Sequence, residues 1–250
     1  MDASTCWGAV KKPKMILFDY GQTLISERKF DGVAGTKAVL RYAVKNKYNR
    51  TAEEVQAAAD AINVELGRTD PMWRHTRQIE VPNYMFTAYL YQSLGIELSL
   101  TAKEIDRTFW DAASPGAPTD GIEDFLAFLK NQNIRTGVIS NIPYCGEVVE
   151  ERINNLLPCH NFEFILATSE YLFRKPNKRI FRLGLEKAGL PQSDVWYIGD
   201  SYQCDVVGAR NAGIFPVWYI GASENPQGER DVLTVCAWEQ LSRIIAELPV

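Results

Sequence analysis

Five short runs of apolar residues punctuate the chain: "MILF" (15–18), "TGVIS" (136–140), "FILA" (164–167), "VWYI" (195–198) and "PVWYI" (216–220). Each lies close to Gly, Asp, Asn or Ser, and none alternates polar with apolar positions. A strand buried on both faces reads this way. From the second run onward the period changes to 3.6 between runs. In "DGIEDFLAFLKNQN" the residues Ile122, Phe125, Leu126 and Leu129 form one stripe. In "NKRIFRLGLEKAG" the apolar positions are Ile180, Phe181, Leu183 and Leu185, and Gly189 stands where a helix should stop. A last helix is expected around Trp238–Leu248, after "VLTVC". Strands alternating with helices predict an α/β fold, a doubly wound parallel sheet.

The first crossover breaks this rhythm. A connection between parallel strands needs a dozen or more residues, yet residues 20–135 separate the first two runs. The interval is helical in pattern. "TAEEVQAAADAINVEL" opens on a capping box, Thr51 with Glu54, and sets Val55, Ala58, Ala59, Ile62 and Leu66 on one face. "TAKEIDRTFW" repeats the box with Thr101 and Glu104, and "PNYMFTAYLYQSLG" starts on proline and stops at Gly95. So long and patterned an insert is not a loop. The expected division is a core of residues 15–26 and 118–250, a helical cap domain at 27–117 with "SPGAPTD" as return hinge, and a flexible N-terminal extension at 1–14.

Composition narrows the possibilities. A formal net charge of −4 over 250 residues leaves no basic footprint for nucleic acid or an anionic membrane. The apolar runs fall far short of the roughly 20 residues of a membrane span, and residues 1–14 lack the apolar core of a signal peptide. The five cysteines are scattered without a CxxC pair, which reads as reduced thiols in a cytoplasmic protein.

Chemistry gathers where the strands end. Asp19 closes the first run, Ser140 and Asn141 the second, Lys175-Pro176 starts a helix after the third, and "IGDSYQCDVVGARNAG" carries Asp200 and Asp205 beyond the fourth. Singly, Asp19 reads as a turn former, Ser140 as a capping residue and Asp205 as an acid at a helix N-terminus. Together they line one crevice, because the carboxyl ends of parallel strands face the same side. Two or three carboxylates there suit a divalent cation, a lysine neutralises phosphate, and a hydroxyl with backbone amides binds the remaining oxygens.

"FDYGQTL", "GVISN", "RKP" and "GDSYQCD", in this order at successive strand ends, resemble the four motifs of the haloacid dehalogenase-like (HAD) hydrolase superfamily, subfamily I with a helical C1-type cap. The resemblance runs from Met15 to about residue 220. It implies that Asp19 attacks phosphorus to form an aspartyl-phosphate. It implies a Mg²⁺ held by Asp19, Asp200 and the backbone carbonyl of Gly21, with Asp205 supporting the metal or orienting Lys175. Ser140 and the backbone of Asn141 then bind the phosphoryl group, and Thr23 orders the loop that meets it. The implied partner is a small phosphorylated metabolite.

One position departs from the pattern. Most phosphatases of the superfamily carry a second Asp where this chain has Gly21. That residue protonates the leaving oxygen and then activates water, help worth about 10²–10⁴ in rate. Glycine keeps the backbone carbonyl for the metal but carries no proton, and the Gln22 amide does not titrate near neutrality. Three readings follow: a phosphohydrolase with an atypical proton source, a catalytically silent phospholigand-binding or scaffolding protein, and a 2-haloacid dehalogenase-like enzyme. The last uses no Mg²⁺ and lacks the acid pair of "GDSYQCD". In the insert, "DPMWRHTRQ" (70–78) is the most unusual stretch. Arg74 and Arg77 could grip an anionic leaving group, Trp73 could stack a ring and His75 could donate a proton. Arg174 stands open between phosphate contact and solvent, and Tyr20 reads as a packing residue beneath the hinge.

Overall fold

The computed structural model describes residues 10–70, 76, 78–222 and 231–249. Among them ten strands run in chain order: β1 (Met15–Phe18), β2 (Ile25–Glu27), β3 (Ala43–Asn46), β4 (Ile96–Leu98), β5 (Gly116–Pro118), β6 (Arg135–Ser140), β7 (Phe162–Ala167), β8 (Val195–Gly199), β9 (Phe215–Tyr219) and β10 (Leu233–Val235). Six of them form one parallel sheet in the order β10-β9-β8-β1-β6-β7. Five coincide with the apolar runs. The sixth, β10, lies inside "VLTVC" at the sheet edge, and its three residues are too few to show a pattern.

β1 shows why these strands are apolar throughout. Ile16 and Phe18 pack with Trp196, Ile198 and Trp238 on one face. Met15 and Leu17 pack with Tyr197, Ile180 and Phe181 on the other. The helices Ile122–Asn131, Gly146–Leu156 and Trp238–Glu247 supply the first layer, and Lys178–Ala188 the second. Covering both faces makes the sheet doubly wound, as the sequence predicts. Gly189 ends the helix Lys178–Ala188 at φ 63°, a left-handed cap that costs glycine nothing.

β1 sits between β6 and β8, so the chain winds outward through β6 and β7, then returns to the other side of β1. The crevice at such a reversal, beyond the strands' carboxyl ends, is where open α/β sheets bind ligands. Asp19 follows β1 and Asp200 follows β8 at that point.

Among the described residues, the helices Gly32–Leu40, Ala52–Glu65, Asn83–Ser93 and Ala102–Ala113 lie between the short antiparallel pair β2 and β5. They bury a separate cluster of Val39, Val55, Ala59, Leu90, Tyr91, Ile96 and Ile105. Both capping boxes form, Thr51 with Glu54 and Thr101 with Glu104. A second short pair, β3 with β4, closes this cluster. Within the expected N-terminal extension, residues 1–9 lie outside the described residues. Lys11 and Lys14 instead pair with Asp194, and the Lys12 amide donates to the Pro249 carbonyl at 3.1 Å. No helix among the described residues is long and apolar enough to cross a membrane.

Candidate active site

Asp19 leaves β1 as its backbone N–H donates to the Ile198 carbonyl at 2.8 Å, which fixes the carboxylate beside the end of β8. Two donors converge on one of its oxygens. Ser140 Oγ, at the end of β6, lies 2.8 Å from Asp19 Oδ1, and Lys175 Nζ lies 2.8 Å from the same atom. Among the described residues no hydrogen bond reaches Oδ2.

Lys175 is 1 % exposed, and its ammonium is saturated. Besides Asp19 it donates to Asp205 Oδ1 at 2.6 Å and to the Tyr197 hydroxyl at 2.7 Å. The Tyr197 hydroxyl in turn donates a hydrogen bond to the Ile139 carbonyl at 2.7 Å. Burial alone would lower the proton affinity of Lys175, but Asp19 and Asp205 outweigh it and hold the lysine above its usual range. The residue is aimed by its backbone. Asn141 Oδ1 accepts from the Lys175 amide at 2.7 Å, and Asn141 Nδ2 donates to the Lys175 carbonyl at 2.9 Å.

Asp205 sits in a wide π-helical turn, Tyr202–Val207, and is fully buried. Its Oδ2 accepts from the Ser201 amide at 2.9 Å. The turn folds back so closely that a Cβ at Gly199 would lie 2.3 Å from the Asp205 carboxylate, so only glycine fits there. Carboxylate oxygens of Asp19, Asp200 and Asp205 all lie within 4.8 Å of one another. Burial, followed by the charges of Asp19 and Asp205, pushes Asp200 up to about 8. Burial also raises Asp205, with Lys175 opposing. Three carboxylates facing one lysine carry surplus negative charge, and an all-oxygen donor set of this kind fits a hard divalent cation.

A cavity of about 990 Å³ opens over Asp19, Gly21, Ser140 and Asn141, between the sheet and the helices inserted after β2. Four of the expected residues therefore meet at one opening, with Lys175 and Asp205 buried beneath it. Thr23 does not line the cavity. It is fully buried, its hydroxyl has no hydrogen-bond partner among the described residues, and its carbonyl accepts from Thr119 Oγ1 at 2.8 Å. Arg174 turns to Glu80 at 3.3 Å at the cavity wall, and Glu80 also accepts from Thr168 Oγ1 at 2.7 Å. Arg74, His75, Trp73 and Arg77 lie outside the described residues.

Sequence reasoning missed three groups here. Tyr197 hides inside a run read as apolar. Glu27, at the end of β2, borders the cavity and accepts from Trp110 Nε1 at 2.8 Å. Burial raises its proton affinity against the opposing Trp110 bond and Arg152 charge. Arg152 lies over the Trp110 ring at 4.4 Å and donates to the Tyr20 hydroxyl at 2.8 Å. Tyr20 itself is buried edge-on against Trp110, a packing residue as read. An acid in the short "LISE" segment just after the Asp19 loop was the available signal for Glu27.

The site is thus a lysine-bridged carboxylate cluster at the reversal point of a doubly wound parallel α/β sheet. The chain belongs to the haloacid dehalogenase-like hydrolase family, whose model matches residues 13–213. It is 26% identical to the pyrimidine 5'-nucleotidase YjjG of Escherichia coli (strain K12) over 235 residues, 93% of this chain and 97% of that protein. Among solved structures it resembles the 2-haloacid dehalogenase of Pseudomonas syringae pv. Tomato DC3000 (TM-score 0.61, 18% identity, 94% of this chain and 98% of that one). It also resembles the HAD-hydrolase YfnB of Bacillus subtilis bound to magnesium (TM-score 0.56, 21% identity, 94% and 99%).

Proposed function

We propose that this hydrolase is a Mg²⁺-dependent phosphatase of small phosphorylated metabolites that works through an aspartyl-phosphate on Asp19. The observation that carries the reading is the asymmetry of the Asp19 carboxylate. Ser140 and Lys175 both hold Oδ1, which orients the group and leaves Oδ2 as the nucleophile of a residue that lines the cavity. Oδ2 attacks phosphorus and the ester oxygen departs. Water then attacks the acyl phosphate, releasing inorganic phosphate and restoring Asp19.

Lys175 lowers the charge that the nucleophile and the phosphoryl oxygens share, and Asp205 with Tyr197 keeps its ammonium in place. Ser140 and the Asn141 backbone take phosphoryl oxygens at the cavity floor. Asp19, Asp200 and the Gly21 carbonyl would hold the Mg²⁺, with Asp205 supporting them. When bound, the ion supplies charge neutralisation for the phosphoryl group. The helical segment 27–117 serves as the cap over the leaving group. The full-length likeness to a pyrimidine 5'-nucleotidase makes pyrimidine nucleoside monophosphates the first physiological candidates.

The test is turnover of p-nitrophenyl phosphate, acetyl phosphate and a nucleoside monophosphate panel with Mg²⁺ or with EDTA, beside Asp19→Asn. Mg²⁺-dependent phosphate release that Asp19→Asn abolishes supports the reading. No turnover despite metal binding would establish a silent phospholigand-binding module. Halide release from 2-haloacids without metal would establish a dehalogenase.

A further inference from the structure

The phosphatase reading leaves the proton unassigned, because Gly21 stands where a second carboxylic acid is expected. We propose that Glu27 supplies that proton, its Oε2 acting as general acid to the leaving oxygen and then as general base to the attacking water.

The space beside Gly21 carries the argument. A Cβ built on Gly21 meets one atom within 4 Å, Glu27 Oε2, at 4.0 Å. The oxygens of an aspartate stand about 2.4 Å from its Cβ, one C–C and one C–O bond away. Glu27 Oε2 thus stands, at the end of β2, just beyond the reach of an aspartate side chain at position 21. β2 is held there by its antiparallel pairing, Glu27 with Gly116 and Ile25 with Pro118. Gln22 Nε2 also donates to the Glu27 carbonyl at 2.9 Å, tying the strand to the Asp19 loop.

The two oxygens of Glu27 have different surroundings. Oε1 accepts from Trp110 Nε1 at 2.8 Å, and the Tyr20 hydroxyl and Arg152 Nη2 each lie 3.5 Å away. Among the described residues no hydrogen bond reaches Oε2, and Glu27 borders the same cavity as Asp19 and Ser140. One oxygen is anchored and the other is available, the arrangement that orients an acid–base group. An acid serving only as an anchor for Trp110 and Arg152 has no need to reach Gly21.

The chemistry balances. As Asp19 Oδ2 forms its bond to phosphorus, the P–O ester bond breaks and the leaving oxygen takes the proton of Glu27 Oε2. Water then attacks the phosphoryl group, Glu27 accepts one water proton, and the Asp19–phosphorus bond breaks. The enzyme is left with Glu27 protonated for the next cycle.

This assignment rests on the phosphatase reading, and the experiment separates the two. The full-length protein, Glu27→Gln, and the double variant Gly21→Asp with Glu27→Gln are compared in Mg²⁺ on p-nitrophenyl phosphate and on an alkyl phosphate such as a nucleoside monophosphate. For Glu27→Gln, kcat/KM on the alkyl phosphate should fall about 10²-fold or more. On p-nitrophenyl phosphate it should hold, since that leaving group needs no proton. There kcat alone should fall, behind a burst of nitrophenol, because water still lacks its base. The Gly21→Asp change should restore alkyl turnover, since a Cβ there makes only an ordinary 4.0 Å contact with residue 27 and Glu27→Gln removes the charge that would repel the new carboxylate. An equal fall on both substrates, no fall on either, or no rescue overturns the assignment while wild-type turnover keeps the phosphatase reading. A wild-type protein inert on both substrates overturns the reading and the assignment with it.

Discussion

Asn141 and Lys175 hold each other by two reciprocal hydrogen bonds, the amide oxygen taking the Lys175 N–H at 2.7 Å and the amide nitrogen donating to the Lys175 carbonyl at 2.9 Å. One residue ends the sequence around β6, and the other opens the turn into the helix Lys178–Ala188. The clasp fixes the backbone from which the ammonium reaches Asp19 and Asp205, so the aim of the lysine is set by a residue that does not touch the ammonium.

Replacing Asn141 by alanine removes both bonds and leaves a largely enclosed N–H and carbonyl unpaired. Stability should fall by about 1–3 kcal/mol, read by urea denaturation. Turnover of p-nitrophenyl phosphate should fall more in kcat than KM changes, because the lysine loses its aim while the cavity is kept.

Gly199→Ala places a methyl group 2.3 Å from the Asp205 carboxylate. Asp205 must move, and its contacts with Lys175 and the Ser201 amide go with it. Overpacking of this kind costs about 1–3 kcal/mol, and a broken buried ion pair adds to it. The expected result is a lower melting temperature together with weakened Mg²⁺ binding by calorimetry. Unchanged metal affinity would show that Asp205 does not support the ion.

Mg²⁺ and protons should compete for the acid cluster. Without the ion, burial and the neighbouring carboxylates push Asp200 up to about 8 from an ordinary 3.8. A proton held more tightly in the folded state favours folding fully at acidic pH. That contribution is lost as pH rises from about 4 through about 8. Metal-free protein should therefore melt lower at pH 9 than at pH 6. Mg²⁺ affinity should increase with pH up to about 8 and then level off, with proton release in calorimetry below that point. A Mg²⁺ affinity independent of pH from 6 to 9 would refute the competition.

Trp238 stacks between Tyr219, ring centroids 4.2 Å apart, and Phe125 at 5.0 Å, while its Nε1 donates to Thr119 Oγ1 at 3.0 Å. Thr119 in turn holds the carbonyl of Thr23 in the Asp19 loop. Trp238→Ala should cost about 3–5 kcal/mol. At temperatures where the variant is folded, turnover should also drop, since the cavity left behind loosens Thr119.

Much of the framework is legible in residue order. The runs at 15–18, 136–140, 164–167, 195–198 and 216–220 are continuous because both faces of the sheet are covered, and burial on both faces leaves no polar position to interrupt them. Thr51 and Thr101 announce their helices because a capping box is satisfied within four residues. Asp19, Ser140, Lys175 and Asp200 could be gathered into one crevice because parallel strands all end on the same side. β2, β3, β4, β5 and β10 left no such mark. Three or four residues cannot establish a period, and "ISE" and "AVKN" are partly polar.

What only the tertiary structure decided is which atoms meet. Local periodicity reports how much of an element is buried, and it carries no information about sheet order or crossovers. Those bring Lys175 to Oδ1 of Asp19, the Tyr197 hydroxyl out of an apolar run to that lysine, and Glu27 into the space beside Gly21. Gly21 was visible as a missing acid from residue order alone. That a carboxylate from the next strand stands beside it follows from the bond of Gln22 to the Glu27 carbonyl together with the pairing of β2 with β5, a contact between segments far apart in the chain and settled by folding.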